Sequence, residues 1–398
     1  MKENDIYEGK IIDDNLNGNG ILKIKNFPVF VPFTIKGDFV KVKITKVKKK
    51  YAIGEVISYL EHANSNTKVI CPYYYKCGGC NLLHISYTRE NELKKNYIQK
   101  LFQGVPLSYT YFNTFNYRNK VTLHVRNRKL GFYEEKSNSL INISNCLLVQ
   151  EEINNFIEIL KQIDLSNVKE LVIKEGTNKK LLLKIIGTIT NKDLNVLTNY
   201  SNLSSIFINN NLVYGKEYIS IIIDSKKYLI NEDSFFQINN DCMKALYNKI
   251  KQYVKETDKL LDLYCGTGSI GIFCSDVCNH ITGVEVNKKS VSCGKKMIEI
   301  NNIKNYKIIN GDANIIKEYF DVVVMDPPRS GLSKEVIKNL NKMKSKKIIY
   351  VSCNPSTLKR DIESLNNYEL QKIDIFNMFP RTKHVECVSL LSLKTLGK

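Results

Sequence analysis

The segment KLLDLYCGTGSIGIF, residues 259–273, decides the fold class of this chain. An apolar run of strand length ends in a turn that contains Gly266, Gly268 and Gly271, and a second apolar run follows it. Glycines in this G-x-G-x-x-G spacing let the backbone approach a ligand closely, and the first turn of a following helix offers free N–H groups. The segment therefore predicts a strand, a glycine turn and a helix that together bind a nucleotide-like cofactor.

Acidic residues around this turn bear on which cofactor it binds. Asp262 opens the turn, and Glu285 ends the next apolar run, HITGVEVN, where its carboxylate is placed to bind a ribose diol. Asp312 has the equivalent place after a third run, IINGDA. This order resembles that of S-adenosylmethionine-dependent methyltransferases, whereas the glycine spacing alone leaves NAD as the alternative.

From about residue 231 onward, strand-like runs alternate regularly with helical patterns, which is typical of a parallel α/β sheet. The fourth unit of this series is FDVVVMDPPRSGL, residues 320–332, in which a strand ends at Asp326 and two prolines stiffen the loop. Such a loop can hold a base against a methyl donor. A D-P-P sequence resembles amino-methyltransferases, but those usually have an aromatic residue next, and here Arg329 follows.

Cys353 ends the next strand-like run, in KKIIYVSCNPSTLKRDI, residues 346–362. A free cysteine is often only a small buried apolar residue. Ligands of open α/β sheets, however, bind at the carboxyl ends of the strands, and a helix N-terminus lowers the pKa of a thiol. Carbon methylation of a pyrimidine needs such a thiolate, because addition at C6 makes C5 nucleophilic, and it also needs a base for the C5 proton.

Glu386 is the candidate base, within FPRTKHVECVSLLSL, residues 379–393. We expect this last segment to be a strand antiparallel to its neighbours. Its first residues would then lie at the edge of the sheet where the other strands end, with Glu386 near Cys353. The alternatives are a surface carboxylate at position 386 and His384 as the base.

The composition indicates a globular protein with an anionic partner. The chain has 398 residues, 43% of them hydrophobic, and a formal net charge of +19. Such an excess of positive charge favours a nucleic acid or another polyanion as the partner, although a general lysine bias would also produce it. No apolar run is long enough for a membrane span, and the N-terminus lacks the pattern of a signal peptide. We expect a cytoplasmic monomer with no membrane association.

The pattern along the chain predicts three domains in an α/β protein. Residues 1–60 have short alternating runs that predict a small, OB-like β-barrel. Residues 61–230 mix strands and helices. They include a helix over 86–103, which packs either on this central region or on the C-terminal domain. Residues 231–398 form the Rossmann-like methyltransferase domain.

A cluster of cysteines lies at the start of the central region. CPYYYKCGGC places Cys71, Cys77 and Cys80 within ten residues, and Cys146 is a fourth, remote cysteine in ISNCLLVQ. Four thiolates suit either structural zinc or a four-iron cluster. Only one C-x2-C pair is present, which favours a 4Fe-4S cluster over zinc.

At this point the sequence resembles the RNA uracil-5-methyltransferases. DLYCGTGSIGIF, MDPPRSGL, SCNPSTLKRD, FPRTKHVECV and DSFFQIN together are specific to that family and cover the chain from about residue 231 onward. The resemblance implies Cys353 as the nucleophile and Glu386 as the general base. It also implies S-adenosylmethionine contacts from four residues: Gln237, Tyr264, Glu285 and Asp326.

The N-terminal regions resemble the ribosomal-RNA branch of this family. The four cysteines are similar to its iron–sulfur site, and residues 1–60 are similar to its RNA-binding TRAM barrel, although by strand pattern only. We therefore predict 23S ribosomal RNA as the substrate. Three alternatives stay open: transfer RNA as the substrate, a cytosine-5-methyltransferase, and an RNA-binding iron–sulfur sensor without activity. Cytosine enzymes usually have a second cysteine after the proline of the fourth unit, where this chain has Pro328 and Arg329.

Overall fold

The computed structural model describes residues 1–135, 137–254, 259–316 and 318–395. It divides into two compact units that alternate along the chain. The first comprises Met1–Ile98, Phe132–Ile143 and Phe379–His384, and the second comprises Gln99–Gly131, Ser144–Met378 and Val385–Lys398. These units do not follow the three consecutive segments that the sequence predicts. Within the described residues, no helix has both the length and the apolar character that crossing a membrane requires.

The first unit begins with a six-stranded sheet. Its strands are β1 (Ile6–Lys10), β2 (Asp13–Asp14), β3 (Asn19–Ile24), β4 (Phe27–Pro32), β5 (Phe39–Val47) and β6 (Ala52–Glu61), in the order β1-β5-β6-β4-β3-β2. Every pairing is antiparallel except that of β4 with β6. Alternation on β5 buries Val40, Val42 and Ile44 completely, while Lys43 faces solvent. The predicted alternation of apolar and basic residues is confirmed on this strand.

Helix α1 (Tyr87–Leu101) forms close to the predicted bounds of 86–103. Its Glu90 and Lys94 are one helical turn apart and fully buried, with their charged atoms 2.8 Å apart. Glu90 also accepts the backbone N–H of Arg381 at 2.9 Å, and Lys94 donates to the carbonyl of Phe379 at 3.2 Å. This buried ion pair therefore anchors the segment Phe379–His384, which leads along the chain to Glu386.

The second unit contains a mixed sheet in its first half. Neighbouring strands run in the order β9-β8-β11-β12-β13-β14, and the only parallel pairing among them is β12 with β13. Their bounds are β8 (Lys120–Arg126), β9 (Lys129–Tyr133), β11 (Val168–Glu175), β12 (Leu181–Gly187), β13 (Leu203–Ile208) and β14 (Asn211–Gly215), while β10 (Leu140–Asn142) falls in the first unit. Helices α2 (Glu151–Leu160) and α3 (Asn191–Thr198) and the hairpin of β15 (Ile219–Ile223) and β16 (Lys226–Ile230) complete this half.

The second half of this unit is built on an eight-stranded sheet with the order β19-β18-β17-β20-β21-β23-β22-β7. Its strands are β7 (Leu107–Thr110), β17 (Lys259–Leu263), β18 (His280–Glu285), β19 (Tyr306–Asn310), β20 (Val322–Met325), β21 (Lys347–Ser352), β22 (Tyr368–Phe376) and β23 (Glu386–Leu393). Only β23 runs antiparallel, as predicted. Because β7 pairs with β22, a segment from the predicted central region belongs to this sheet.

Five helices connect or flank these strands: α4 (Asn240–Tyr253), α5 (Ser269–Cys274), α6 (Lys288–Ile300), α7 (Lys334–Met343) and α8 (Pro355–Ser364). The middle strands β20 and β21 are mostly apolar because both faces of the sheet are covered. Val323, Ile348 and Ile349 are 0% exposed, and a fully buried side chain of this size contributes about 1.5–3 kcal/mol. This rigid core fixes the positions at which the strands end.

Candidate active site

The turn after β17 has the backbone of a tight ligand-binding loop. Tyr264, Gly266 and Gly268 have φ values of 59°, 56° and 79°. Positive φ is costly for a tyrosine, by about 1–2 kcal/mol, so the surrounding structure must hold Tyr264 in place. Gly271 is required by packing, since a Cβ there would lie 2.5 Å from the ring of Tyr306.

The buried carboxylate of Asp262 holds the backbone of this turn in place through hydrogen bonds. It is 1% exposed and accepts hydrogen bonds from the N–H of Gly271 and the hydroxyl of Tyr306, each at 3.1 Å. Burial raises the pKa of Asp262 to about 7, and these two hydrogen bonds oppose the rise. Asp262 therefore joins the start of α5 to β17 and β19.

Glu285 ends β18 beside the same turn. Its carboxylate accepts the N–H of Gly266 at 3.0 Å and the N–H of Asn287 at 2.7 Å. An ionised carboxylate held by two backbone N–H groups has a fixed orientation and keeps lone pairs for further donors. The structure thus places Glu285 where the sequence predicts a ribose contact.

Gln237 lies on the segment between β16 and α4 and is 8% exposed. The start of this segment is held by Lys174 of β11, whose ammonium group donates to three backbone carbonyls, those of Asn231, Glu232 and Ser234, at 2.7, 3.0 and 2.9 Å. Lys174 is itself buried. Burial lowers the pKa of Lys174 to about 7. Lys174 therefore anchors the chain three residues before Gln237.

The loop after Asp326 is fastened to helix α8. The carbonyl of Arg329 accepts from the Asn354 side chain at 3.1 Å. Asp361, fully buried in α8, accepts the N–H of Leu332 at 2.8 Å and the hydroxyl of Tyr350 at 2.7 Å. The residues that follow Cys353 thus set the path of the loop that begins at Asp326.

Cys353 and Glu386 meet at the edge of the sheet. Ser352 is paired with Cys387 in the antiparallel ladder of β21 and β23, so the next position along β21 is Cys353 and the facing one on β23 is Glu386. Cys353 is half-buried, and Glu386 is 3% exposed. Asp326 follows β20, which pairs with β21, and its charge acts on Glu386. Three of the predicted site residues are therefore brought together here.

The electrostatics of this edge favour protonated groups. Burial raises the pKa of Glu386 well above its ordinary value, the Asp326 carboxylate raises it further, and the Arg329 guanidinium lowers it. Burial also raises the pKa of Asp326. Two carboxyl groups buried close together disfavour each other's charged form, because like charges repel and both lose solvation.

The pKa of Cys353 differs from the sequence prediction. Burial raises the pKa of its thiol, the charge of Glu386 adds to the rise, and Arg329, which hydrogen-bonds the thiol, opposes it. The prediction of a thiol with a lowered pKa at a helix N-terminus is therefore wrong. Helix α8 does begin directly after Cys353, with Asn354 as the N-cap and Pro355 in the first turn.

The structure does not test the predicted metal site of four cysteines. Cys71, Cys77, Cys80 and Cys146 are half-buried thiols. Over the described ranges, no three His, Cys, Asp or Glu side chains are arranged to hold a metal ion. The set of four cysteine ligands therefore stays a prediction from their spacing in the sequence and from the family resemblance.

Two protein-family models match this chain, one over the second half of the sequence and one over its N-terminal sheet. The family model tRNA (uracil-5-)-methyltransferase matches residues 179–394, which is more than half of the chain. The chain belongs to this family. A TRAM domain model matches residues 3–57. The predicted fold, a methyltransferase domain preceded by a small TRAM β-domain, is confirmed.

Relatives of this family member match along its whole length. Uncharacterized RNA methyltransferases of Staphylococcus aureus (strain COL) and Staphylococcus epidermidis are 32% and 31% identical to it, and each alignment covers 99% of both chains. Among solved structures, the tRNA (uracil-54, C5)-methyltransferase of Pyrococcus abyssi, in complex with S-adenosyl-L-homocysteine, has a TM-score of 0.83 at 27% identity. That match covers 97% of this chain and 100% of the other.

Several residues of this family member's site are not evident from sequence. The sequence marks Arg329 only as a departure from another family, although a charge directly after two prolines is a usable signal. Lys174, Tyr306 and Asp361 act across long stretches of chain, and no local pattern marks them. The spacing of Cys274 and Cys278 predicts that they share a helix face, but this prediction is wrong because α5 ends at Cys274.

Proposed function

We propose that this protein transfers a methyl group from S-adenosylmethionine to C5 of a uridine in 23S ribosomal RNA and that it acts in the cytoplasm. The facing positions of Cys353 and Glu386 at the carboxyl edge of the sheet are the observation that supports this function most strongly. A nucleophile alone would suit many reactions. A thiol opposite a buried carboxylate suits the addition, proton removal and elimination that pyrimidine C5 chemistry needs.

The residues of the second unit fit the cofactor. Glu285 and Gln237 would hold the nucleoside and amino-acid parts, Tyr264 would flank the turn, and Asp326 would approach the methyl-bearing end. When bound, S-adenosylmethionine supplies an electrophilic methyl group. Tyr306 packs directly against Gly271 after this turn, so a larger residue would not fit there.

The proposed chemistry proceeds through a bond between Cys353 and the base. The Sγ thiolate adds to C6, and the electron pair of the C5–C6 double bond becomes available at C5. C5 would then bond to the methyl carbon while the bond from that carbon to the sulfonium sulfur breaks and S-adenosylhomocysteine leaves. Glu386 takes the proton from C5, the double bond forms again, and the Sγ–C6 bond breaks. Arg329, which lowers the pKa of both groups, favours the charge state in which each can act.

Transfer RNA is the second candidate substrate, and one observation favours it. The Pyrococcus abyssi enzyme, which acts on transfer RNA by its name, matches 97% of this chain. Its similarity therefore includes the TRAM region, so this domain does not separate the two substrates. The preference for 23S RNA rests on the resemblance of the four cysteines to the ribosomal branch.

The same cysteines are proposed to ligate a 4Fe-4S cluster, with Gly78 and Gly79 giving their loop its freedom to bend. No chemical step above depends on it. Anaerobic purification followed by iron, sulfide and zinc analysis tests the assignment. About four irons per chain support it, and stoichiometric zinc without iron contradicts it.

Incubation with labelled S-adenosylmethionine tests the activity. The RNAs are 23S RNA and total transfer RNA, each from cells that lack this protein. We expect labelled 5-methyluridine in 23S RNA, and nucleoside analysis distinguishes it from 5-methylcytidine. Label only in transfer RNA would establish the second candidate, and no label in either RNA would favour a protein that binds RNA without modifying it.

A further inference from the structure

A groove on the second unit has the character of an anion-binding surface. It has a volume of about 730 Å³, and its lining includes Lys334, Lys338, Lys342 and Lys344 together with Asn341 and Asn367. All four lysines are exposed. We call this surface the α7 groove, since helix α7 forms its longer wall.

The lysines of the α7 groove form a regular stripe. Lys334, Lys338 and Lys342 are spaced by four residues on α7, so they lie on one helix face roughly 6 Å apart along the axis. Lys344 extends the series beyond the last turn, where φ is 54°. A regular row of cations suits a ligand with a regular row of negative charges.

Among the described residues, no carboxylate neutralises the charge of this stripe. In the described part of the chain, none of the four lysines has a carboxylate within ion-pair distance, unlike Lys184 and Lys289, which both pair with Asp233. Glu335, the acidic residue of the first turn of α7, accepts instead from the Asn314 side chain at 3.2 Å. The groove therefore presents uncompensated positive charge to solvent.

The floor of the groove is rigid. The Asn341 side chain donates to the carbonyl of Ser364 at 3.0 Å, and the Asn367 side chain donates to the carbonyl of Asn341 at 2.8 Å. These bonds join the last turns of α7 and α8. A ligand would therefore meet a surface that is already formed.

We propose that the α7 groove binds the phosphate backbone of the substrate RNA, on the strand that flanks the target uridine. Helix α7 starts just after the loop that follows Asp326 at the active edge and runs back along the sheet for about 15 Å. Lysines that contact phosphates set the register of a nucleic acid without reading its sequence. This inference rests on the proposed function only for the identity of the RNA.

Binding measured as a function of salt tests the proposal. The variant K334Q/K338Q/K342Q removes three charges from the groove, and K244Q/K249Q/K251Q removes three from α4 as the matched control. The slope of log affinity against log salt decreases by about 0.7 for each phosphate of a single strand that the protein no longer neutralises. We expect the slope of the groove variant to decrease by about 2 and its affinity to fall roughly tenfold or more at 0.15 M salt, and the control to change much less.

The length of the RNA gives an independent test. On a short hairpin that contains only the target loop, both variants should bind as the unaltered protein does, and the groove variant should weaken only on longer RNA. Equal slopes for the groove variant and the control on long RNA would overturn the proposal, as would equal weakening on short and long RNA. Because this experiment measures binding and not methyl transfer, it would still test the groove if the protein proved not to methylate RNA. Unchanged circular dichroism and S-adenosylmethionine affinity exclude misfolding.

Discussion

Cys353 and Glu386 face each other one position beyond the pair Ser352–Cys387 in an antiparallel ladder. The two residues are 33 positions apart in the chain. They lie opposite each other because β23 runs antiparallel to β21. Glu386 is itself paired with Phe376 of β22, and Cys353 directly follows the last paired residue of β21. Two side chains fixed in this way keep their separation when ligands enter and leave, which the proposed covalent catalysis requires.

Replacement of Glu386 by Gln should stabilise the fold at neutral pH. Burial and Asp326 raise the pKa of Glu386 well above its ordinary value of 4.5. The folded protein therefore binds a proton that the unfolded chain releases, and the stability of the wild type falls as the pH rises from about 4.5 toward the folded pKa. In thermal unfolding, the Tm of the variant should exceed that of the wild type, and the difference should be larger at pH 8 than at pH 5. An equal change at both values would contradict the raised pKa.

Replacement of Arg329 by Met should shift the pH dependence of methylation. The guanidinium lowers the pKa of both Cys353 and Glu386, so its loss raises both. In the proposed mechanism both groups act when deprotonated, so the rising limb of the rate against pH should move to higher pH. Arg329→Lys keeps a charge and should shift less. A lower rate with an unmoved limb would show that Arg329 has only a structural role.

Lys174→Met should weaken cofactor binding from a distance. The change removes the Lys174 donor from three carbonyls of residues 231–234, of which the Asn231 carbonyl also accepts from the Ser234 hydroxyl at 3.2 Å. A hydrogen bond from a charged donor contributes about 1.5–3 kcal/mol. The segment that carries Gln237 should loosen, and the affinity for S-adenosylmethionine, measured by calorimetry, should fall by roughly tenfold. Lys184→Met, which removes only the pair with Asp233, is the control and should fall less. Equal affinities of the two variants would exclude the anchoring role.

Asp361→Asn should lower the rate more than it lowers cofactor affinity. The Asp361 carboxylate accepts the N–H of Leu332 and the hydroxyl of Tyr350, and it thereby joins the loop after Asp326 to α8. An amide cannot accept from both at the same oxygen with the same strength as a charged group. We expect kcat to fall with little change in the Kd of S-adenosylmethionine. Glu363→Gln, an exposed carboxylate on the same helix, should leave both unchanged.

Much of the second unit could be predicted because its signals are local. The run from Lys259 to Phe273 contains a strand, a turn and a helix in sequence, and Asp326 and Cys353 each follow an apolar run directly. The place of Glu386 required one further step, the antiparallel direction of β23. These predictions rest on periodicity and on the general rule that ligands bind at strand ends.

The parts that sequence did not predict depend on contacts between distant segments. The pairing of β7 with β22 joins residues more than 250 positions apart, and no pattern within Leu107–Thr110 indicates it. The pKa of Cys353 depends on burial and on Glu386, so the helix N-terminus alone gave the wrong direction. Lys174 lies in a strand where a buried charge contradicts the apolar pattern, and only its three carbonyl partners explain it.

The most direct test of the account is to isolate the covalent intermediate. Glu386→Gln, incubated with substrate RNA and S-adenosylmethionine, should accumulate a protein–RNA adduct because the C5 proton can no longer leave. Nuclease and protease digestion followed by mass spectrometry should locate a 5-methylated uridine nucleotide on the peptide that contains Cys353, and Glu386→Gln combined with Cys353→Ala should give none. An adduct on another residue, or one that forms equally in the double variant, would contradict the proposed roles of Cys353 and Glu386.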